Sequence, residues 1–208
     1  MEAQAAAAQL HTIRTLMERS AIYRRALAPV MIYCGGLGLL AGVVGDWLPL
    51  HESRRFVVYW AGMAVLALVG TALLIRRQAG KAAEPFWSPP LRRVTQALLP
   101  GLVVGAFAGG VVAWLNPYWY ECRFLVPVWC TLFGLALHAA GFFMPAGLRR
   151  FGWLFILVGL LLFAVSVAGE LVNLALIQPH WLMGATFGGL HLAYGIYLYF
   201  TEPGGKAA

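Results

Sequence analysis

Long apolar runs separated by short polar segments dominate the hydrophobic pattern of this chain. The runs lie at 28–48, 56–75, 94–115, 124–144, 151–172 and 183–200. A membrane-spanning helix needs about 20 predominantly apolar residues to cross a hydrocarbon core of roughly 30 Å. The pattern therefore predicts an all-α polytopic membrane protein, with a bundle of six transmembrane helices filling residues 28–201.

The polar segments at the two ends of the chain are too short for separate folded domains. Residues 1–27 are alanine-rich, and Leu10, Ile13 and Met17 place a short apolar stripe among charged positions. This spacing predicts an amphipathic cytoplasmic helix that leads into the first span. Residues 202–208 form a short polar tail, which an even number of spans places on the same side.

Composition and charge distribution agree with this class. The chain is 61% hydrophobic and only 11% charged, whereas a soluble domain is about 25% charged. The net charge of +7 does not indicate nucleic-acid binding, because the basic residues flank the apolar runs. In a six-span topology only Arg54, Arg55 and Arg123 face one side and the other twelve Lys and Arg face the opposite side. This bias predicts that both termini are cytoplasmic.

Glycines recur at helix-packing intervals within several spans. Small residues at intervals of three and four let two helix backbones approach closely in a membrane. We therefore expect the third and sixth spans to be central in the bundle. The helix-packing glycines are Gly101, Gly105 and Gly109 in the third span, and Gly184, Gly188 and Gly195 in the sixth. The first span has its own series at Gly35, Gly38, Gly42 and Gly45.

Polar residues inside the apolar runs are costly in lipid and are the candidates for function. Ser166, Glu170 and Asn173 share one face of the fifth span, and His191 and Tyr194 lie one turn apart in the sixth. His138 lies in the fourth. These residues either form a ligand-binding site or make structural hydrogen bonds between helices, and the sequence leaves both interpretations open. Three further residues are interpreted as solvated interface positions: Asp46, Glu121 and His180.

Metal and cofactor sites are not indicated. The three cysteines, Cys34, Cys122 and Cys130, lack metal-ligand spacing and are interpreted as free thiols. His138 and His191 fall at different depths, which fits a bis-histidine haem poorly. No paired-glutamate, nucleophile or phosphate-loop motif is present, so the sequence predicts a protein without catalytic residues, metal or cofactor.

The two halves of the chain share a faint pattern. Cys34, Gly38 and Pro49 recur ninety-six positions later as Cys130, Gly134 and Pro145. Two halves of three spans each would be inverted relative to one another, as in many transporters. Matches at one offset also arise by chance in a chain rich in Gly, Leu, Phe and Arg, and this alternative stays open.

Two stretches resemble a set of small bacterial membrane proteins that have no established activity. They are L-M-E-R-S at 16–20 and M-G-A-T-F-G-G-L-H-L-A-Y-G-I at 183–196. The resemblance implies residence in the bacterial inner membrane and gives weight to His191 and Tyr194. The more basic Tyr23-Arg24-Arg25 departs from that pattern, and its surface contacts are expected to differ.

Three functions are compatible with these observations. The first is a non-enzymatic accessory, sensory or lipid-binding subunit, which acts in the bilayer through a membrane-protein partner or as a homo-oligomer. The second is a small-molecule transporter with an inverted three-plus-three repeat and a polar site near Glu170 and His191. The third is a membrane-embedded enzyme or haem protein that uses His138 and His191. The absence of catalytic motifs favours the first.

Overall fold

The computed structural model describes residues 27–50, 52–81, 83, 85–115, 122–172 and 178–201, without the side chains of residues 169–172. Within these ranges every regular element is a helix, which confirms the all-α prediction. The N-terminal helix predicted before residue 27, Glu121, Asn173 and the tail at 202–208 lie outside the described residues.

Five helices in the described part of the chain are long and apolar enough to cross a membrane. They are α1 (Leu27–Trp47), α2 (Ser53–Lys81), α3 (Pro89–Leu115), α4 (Cys122–Ala140) and α5 (Ala146–Val172). Three shorter segments follow: α6 (Pro179–Met183), the π-helix π1 (Gly184–Leu190) and α7 (His191–Thr201). They adjoin without a break, and together we call them the C-terminal helix. A chain with five such helices is suited to be a multi-pass membrane protein.

Several helices extend beyond the predicted apolar runs, since α2 begins at Ser53 and ends at Lys81, and α3 and α5 each begin five residues early. Two other boundaries have a local cause. The fourth helix ends at Ala140, one turn early, where Phe142 and Phe143 donate to carbonyls three residues back. Both phenylalanines extend the apolar run, yet they lie on the surface of the turn. The C-terminal helix begins four residues before the predicted start, with Pro179 in its first turn, where a proline leaves no backbone bond unmade.

The contact between α1 and the C-terminal helix is made by backbone against backbone. A methyl group built on Gly38 would lie 2.7 Å from the Cα of Gly188, and one on Gly42 would lie 2.9 Å from the Cα of Gly184. The residue numbers of the contacting glycines increase along α1 while they decrease along the C-terminal helix, so the two helices are antiparallel. The glycine series predicted in the first span and the one predicted in the sixth therefore face each other. We call this contact the glycine seam.

The pair α4 and α5 packs through a second antiparallel contact. A methyl group on Gly134 would lie 2.7 Å from the backbone nitrogen of Ile156, and one on Gly159 would lie 2.9 Å from the carbonyl of Pro127. Gly38 and Gly134, equivalent positions in the suggested repeat, thus face different neighbours. An inverted repeat that sets Gly38 against the C-terminal helix would set Gly134 against α3. Gly134 faces α5 instead, so the contacts of these two glycines do not match the suggested repeat.

The third helix is at the edge of the bundle rather than at its centre. Gly101 packs against Ala136 of α4, and Gly105 and Gly109 receive the ring of Trp129. Its other face is open, since Phe107 is 72% exposed. The glycine series of α3 makes helix contacts on one face only, because one neighbouring helix, α4, packs against most of these glycines. The expectation that α3 is central was wrong.

The glycine seam predicts a sharp difference between two adjacent residues. A side chain at Gly188 would meet the backbone of Gly38 and Leu39, whereas nothing lies within 4 Å of a methyl group at Gly189. We expect Gly188→Ala to destabilise the detergent-solubilised protein by about 1–3 kcal/mol, the usual cost of overpacking. Thermal unfolding followed by circular dichroism measures this. Gly189→Ala is the matched control, and equal midpoints for the two variants would contradict the close contact.

Candidate functional site

The polar face predicted on the fifth span is described only in part. Ser166 lies half-buried on α5. Glu170 belongs to the last turn of the same helix, without a described side chain, and Asn173 lies outside the described residues. The structure therefore places the backbone of Glu170 at the carboxyl end of α5 and gives no contact between these three residues.

His191 is buried among aromatic rings instead of facing a polar group on another helix. Its ring lies 5.2–5.4 Å, between centroids, from those of Phe133, Phe151 and Phe155. Its Nδ1 donates to the carbonyl of Phe187, one turn earlier in the same helix, at 2.7 Å. The expected partner on a neighbouring helix is thus replaced by a backbone carbonyl, because α4 and α5 bring only phenylalanines to this position.

Tyr194 lies at the amino end of α5, far from Glu170. Its ring stacks on that of Phe151, with 4.3 Å between the centroids. A methyl group built on Gly147 would lie 2.6 Å from the hydroxyl of Tyr194, so the tyrosine packs closely on this glycine. Gly147 and Glu170 are twenty-three residues apart on one helix, which at ~1.5 Å per residue separates them by about 35 Å. Tyr194 and the backbone of Glu170 therefore lie at opposite ends of α5.

His138 belongs to yet another environment. It lies in the last turn of α4, with its ring 5.4 Å from the rings of Phe142 and Trp153. Its Nδ1 is buried and has no hydrogen-bond partner among the described residues. Trp153 and the residues that enclose His191, Phe151 and Phe155, lie on different faces of α5, so the structure does not bring the two histidines together.

His180 is the residue that the sequence interpretation missed. It was expected to be solvated, but only 2% of it is exposed. The indole nitrogen of Trp60 donates to its Nδ1 at 3.1 Å, and its ring packs 5.0 Å from that of Phe56 and 5.7 Å from that of Tyr59. Because an indole nitrogen only donates, Nδ1 is the acceptor and the imidazole is neutral here.

The burial of His180 follows from the register of the glycine seam. Gly45 continues the glycine series of α1, and its missing side chain leaves the space that the imidazole occupies. In an antiparallel pair that aligns Gly38 with Gly188 and Gly42 with Gly184, the residue opposite Gly45 is close to position 180. In the sequence, the feature that could have indicated the burial of His180 was the extension of the glycine series of α1 to Gly45.

The tryptophans near the end of the bundle where α1 ends and α2 begins fall into two groups. Trp47, Trp114 and Trp181 are exposed, as expected of an aromatic belt. Trp60 is buried, and Trp129 donates from its indole to the carbonyl of Gly105 at 2.8 Å. The last two link helices inside the bundle, so they contribute to packing rather than to a belt. Trp119 lies outside the described residues.

The described candidate residues make packing contacts and hydrogen bonds. In the described residues, no three His, Cys, Asp or Glu side chains are grouped so that they can hold a metal ion. The three cysteines are free thiols, and Cys34 lies 3.5 Å from the hydroxyl of Thr71. No family model, curated protein or solved structure significantly matches the chain.

The bond between Trp60 and His180 predicts a measurable contribution to stability. Trp60→Phe keeps an aromatic ring but removes the donor, so the buried Nδ1 of His180 loses its partner, at a cost of about 1–3 kcal/mol. We expect a midpoint of thermal unfolding in detergent that is several degrees lower. Trp47→Phe is the control, since Trp47 is 80% exposed. An equal midpoint for both variants would show that the bond contributes nothing.

Proposed function

We propose that this protein is a non-enzymatic subunit of the bacterial inner membrane that binds another membrane protein through the outward face of α2. The observation that carries the proposal is a groove on α2, formed by Val58, Gly62, Val65 and Val69. The three valines are 52–58% exposed, and nothing lies within 4 Å of a methyl group at Gly62. Their spacing of four, three and four places them on one helix face.

The composition of this groove suits a second helix better than lipid chains. Valine has one strongly preferred rotamer in a helix, so it loses little side-chain entropy when a partner packs on it. A glycine between valines lets a partner backbone come close, as in small-residue helix contacts in membranes. Leu66 and Leu73 flank this groove on α2, whereas Leu157, Leu160 and Leu161 form a wholly leucine surface on the outward face of α5.

Hydrogen bonds between helices support a structural role. Three aromatic side chains donate to backbone carbonyls of a neighbouring helix: Tyr59 to Ala41 at 2.7 Å, Tyr33 to Leu66 at 2.9 Å and Trp129 to Gly105. These bonds join α2 to α1 and α4 to α3. The polar groups that they use are thereby committed to holding helices together, which favours a binding subunit over the transporter and haem alternatives.

The proposed topology has six spans, with both termini in the cytoplasm. The C-terminal helix, Pro179–Thr201 in all, is roughly 30 Å long by helical rise and is the sixth span. Helices α2 and α3 are joined on the basic side, near Lys81 and Arg92, and α4 and α5 on the same side, near Arg149. This arrangement fits the positive-inside rule and the resemblance to small bacterial inner-membrane proteins.

The groove predicts a site-specific contact in native membranes. A photo-crosslinking amino acid at Val65 is expected to give a discrete adduct of higher mass with a partner, detected by immunoblotting of the tagged chain. The same amino acid at Leu161 of α5 is the control and should give only lipid adducts. Gly62→Leu fills the groove and should abolish the Val65 adduct without changing the unfolding midpoint.

The mass of the adduct separates the outcomes of this experiment. An adduct with a different protein supports the proposal, whereas an adduct at twice the mass of the chain, confirmed by mixing two tags, indicates a homo-oligomer instead. Equal adducts at Val65 and Leu161, or an adduct that survives Gly62→Leu, would show that the groove is an ordinary lipid-facing surface.

The topology predicts opposite reactivity at two exposed positions. Glu52 lies between α1 and α2, and Gly80 near the carboxyl end of α2, with nothing within 4 Å of a methyl group there. In intact spheroplasts, a membrane-impermeant maleimide should label Glu52→Cys and should reach Gly80→Cys only after permeabilisation. The unsubstituted protein is the blank, because its natural cysteines are buried or half-buried. The reverse pattern would refute the proposed orientation.

A further inference from the structure

An exposed cluster of aromatic and basic side chains surrounds the turn between α4 and α5. Its members, which we call the aromatic–arginine patch, are Phe142, Phe143, Arg149, Arg150 and Trp153. The three aromatic residues are 48–64% exposed, and both arginines are exposed. The patch thus combines apolar surface and positive charge where two apolar helices end, a level that corresponds to the headgroup region of a bilayer.

Aromatic contacts hold the patch together. The guanidinium carbon of Arg149 lies 5.2 Å from the ring centroid of Phe142. The edge-on ring of His138 lies between Phe142 and Trp153, at 5.4 Å from each. Gly141 permits this arrangement, because a methyl group there would lie 2.8 Å from the Cα of Arg149. The guanidinium of Arg149 thus lies against an aromatic ring, and residues 138–156, which include the patch, contain no acidic residue.

The charge of the patch is also uncompensated by its own helix. Arg149 and Arg150 lie at the start of α5, whose first turn has no acidic residue. The amino end of a helix carries partial positive charge and disfavours cations. Arg76 and Arg77 are an instructive contrast, because they lie near the carboxyl end of α2, where the partial charge is negative and arginines are favourable. The first turn of α5 thus supplies no carboxylate to its own arginines, and an anionic ligand would stabilise their charge.

We propose that the aromatic–arginine patch binds the phosphate group of an anionic phospholipid. Guanidinium groups pair with phosphate through two parallel hydrogen bonds, and Arg149 and Arg150 supply two such groups. The exposed rings of Phe142, Phe143 and Trp153 call for hydrocarbon cover, which a lipid supplies and a soluble phosphate does not. One molecule with a phosphate and acyl chains, lying along Trp153 and Leu157, satisfies both requirements.

The test compares lipids and two charge-matched double variants. Purified protein is placed in nanodiscs of zwitterionic phosphatidylcholine, with and without phosphatidylglycerol, and its thermal unfolding is followed. We expect phosphatidylglycerol to raise the midpoint of the unsubstituted protein by several degrees. The Arg149→Gln/Arg150→Gln variant should lose most of this rise, whereas Arg76→Gln/Arg77→Gln should keep it. Inorganic phosphate added to phosphatidylcholine nanodiscs should not reproduce it.

Each alternative outcome overturns the proposal. Equal losses in both double variants would show general attraction between basic residues and an anionic surface. A rise with inorganic phosphate would identify a soluble anion, and no rise with phosphatidylglycerol would exclude the lipid. Native mass spectrometry of the detergent-solubilised protein gives a second measurement that does not depend on stability. In these spectra, phosphatidylglycerol should remain bound to the unsubstituted chain and to the Arg76→Gln/Arg77→Gln variant, but not to the Arg149→Gln/Arg150→Gln variant.

Discussion

The close approach of two backbones at the glycine seam is the interaction on which the rest of the structure depends. Lipid chains are as apolar as leucine, so helices in a membrane associate mainly through van der Waals packing, and the absence of side chains permits the closest contact. Gly38 against Gly188 and Gly42 against Gly184 fix both the distance and the register of α1 and the C-terminal helix. That register alone places His180 beside Gly45, within reach of Trp60.

The seam also coincides with an unusual backbone. The π-helix Gly184–Leu190 contains Gly184 and Gly188, the two glycines of the C-terminal helix that meet Gly42 and Gly38 of α1. π-Helices are rare because they are less stable than α-helices, and they are often found at functional positions. Here a side chain adds a bond inside the helix, since His191 donates to the carbonyl of Phe187. His191 thus supports the segment that forms the seam.

The sequence allowed prediction of the helices but not of their neighbours. Hydropathy depends on single residues and therefore located the five long apolar helices, whereas a glycine series permits a close contact without indicating which helix makes it. The series at Gly101 was taken as a sign of a central helix, yet it meets only α4 along most of its length. His180 was placed in water because it follows Pro179 at a span boundary, and its burial depends on Trp60 and Gly45, residues distant in sequence.

A bundle whose interior is filled by backbone contacts and aromatic rings presents its recognition chemistry on its outside. The two surfaces proposed for binding differ in the interaction that each can offer. The groove around Gly62 has no charge and offers shape alone, so it selects a helix that fits closely. The patch around Arg149 offers charge at the end of the bundle, so it selects a headgroup. In the proposed arrangement the groove faces the hydrocarbon and the patch lies at its boundary, so occupation of one would leave the other free. A bound lipid would then anchor the protein while the proposed partner packs on α2.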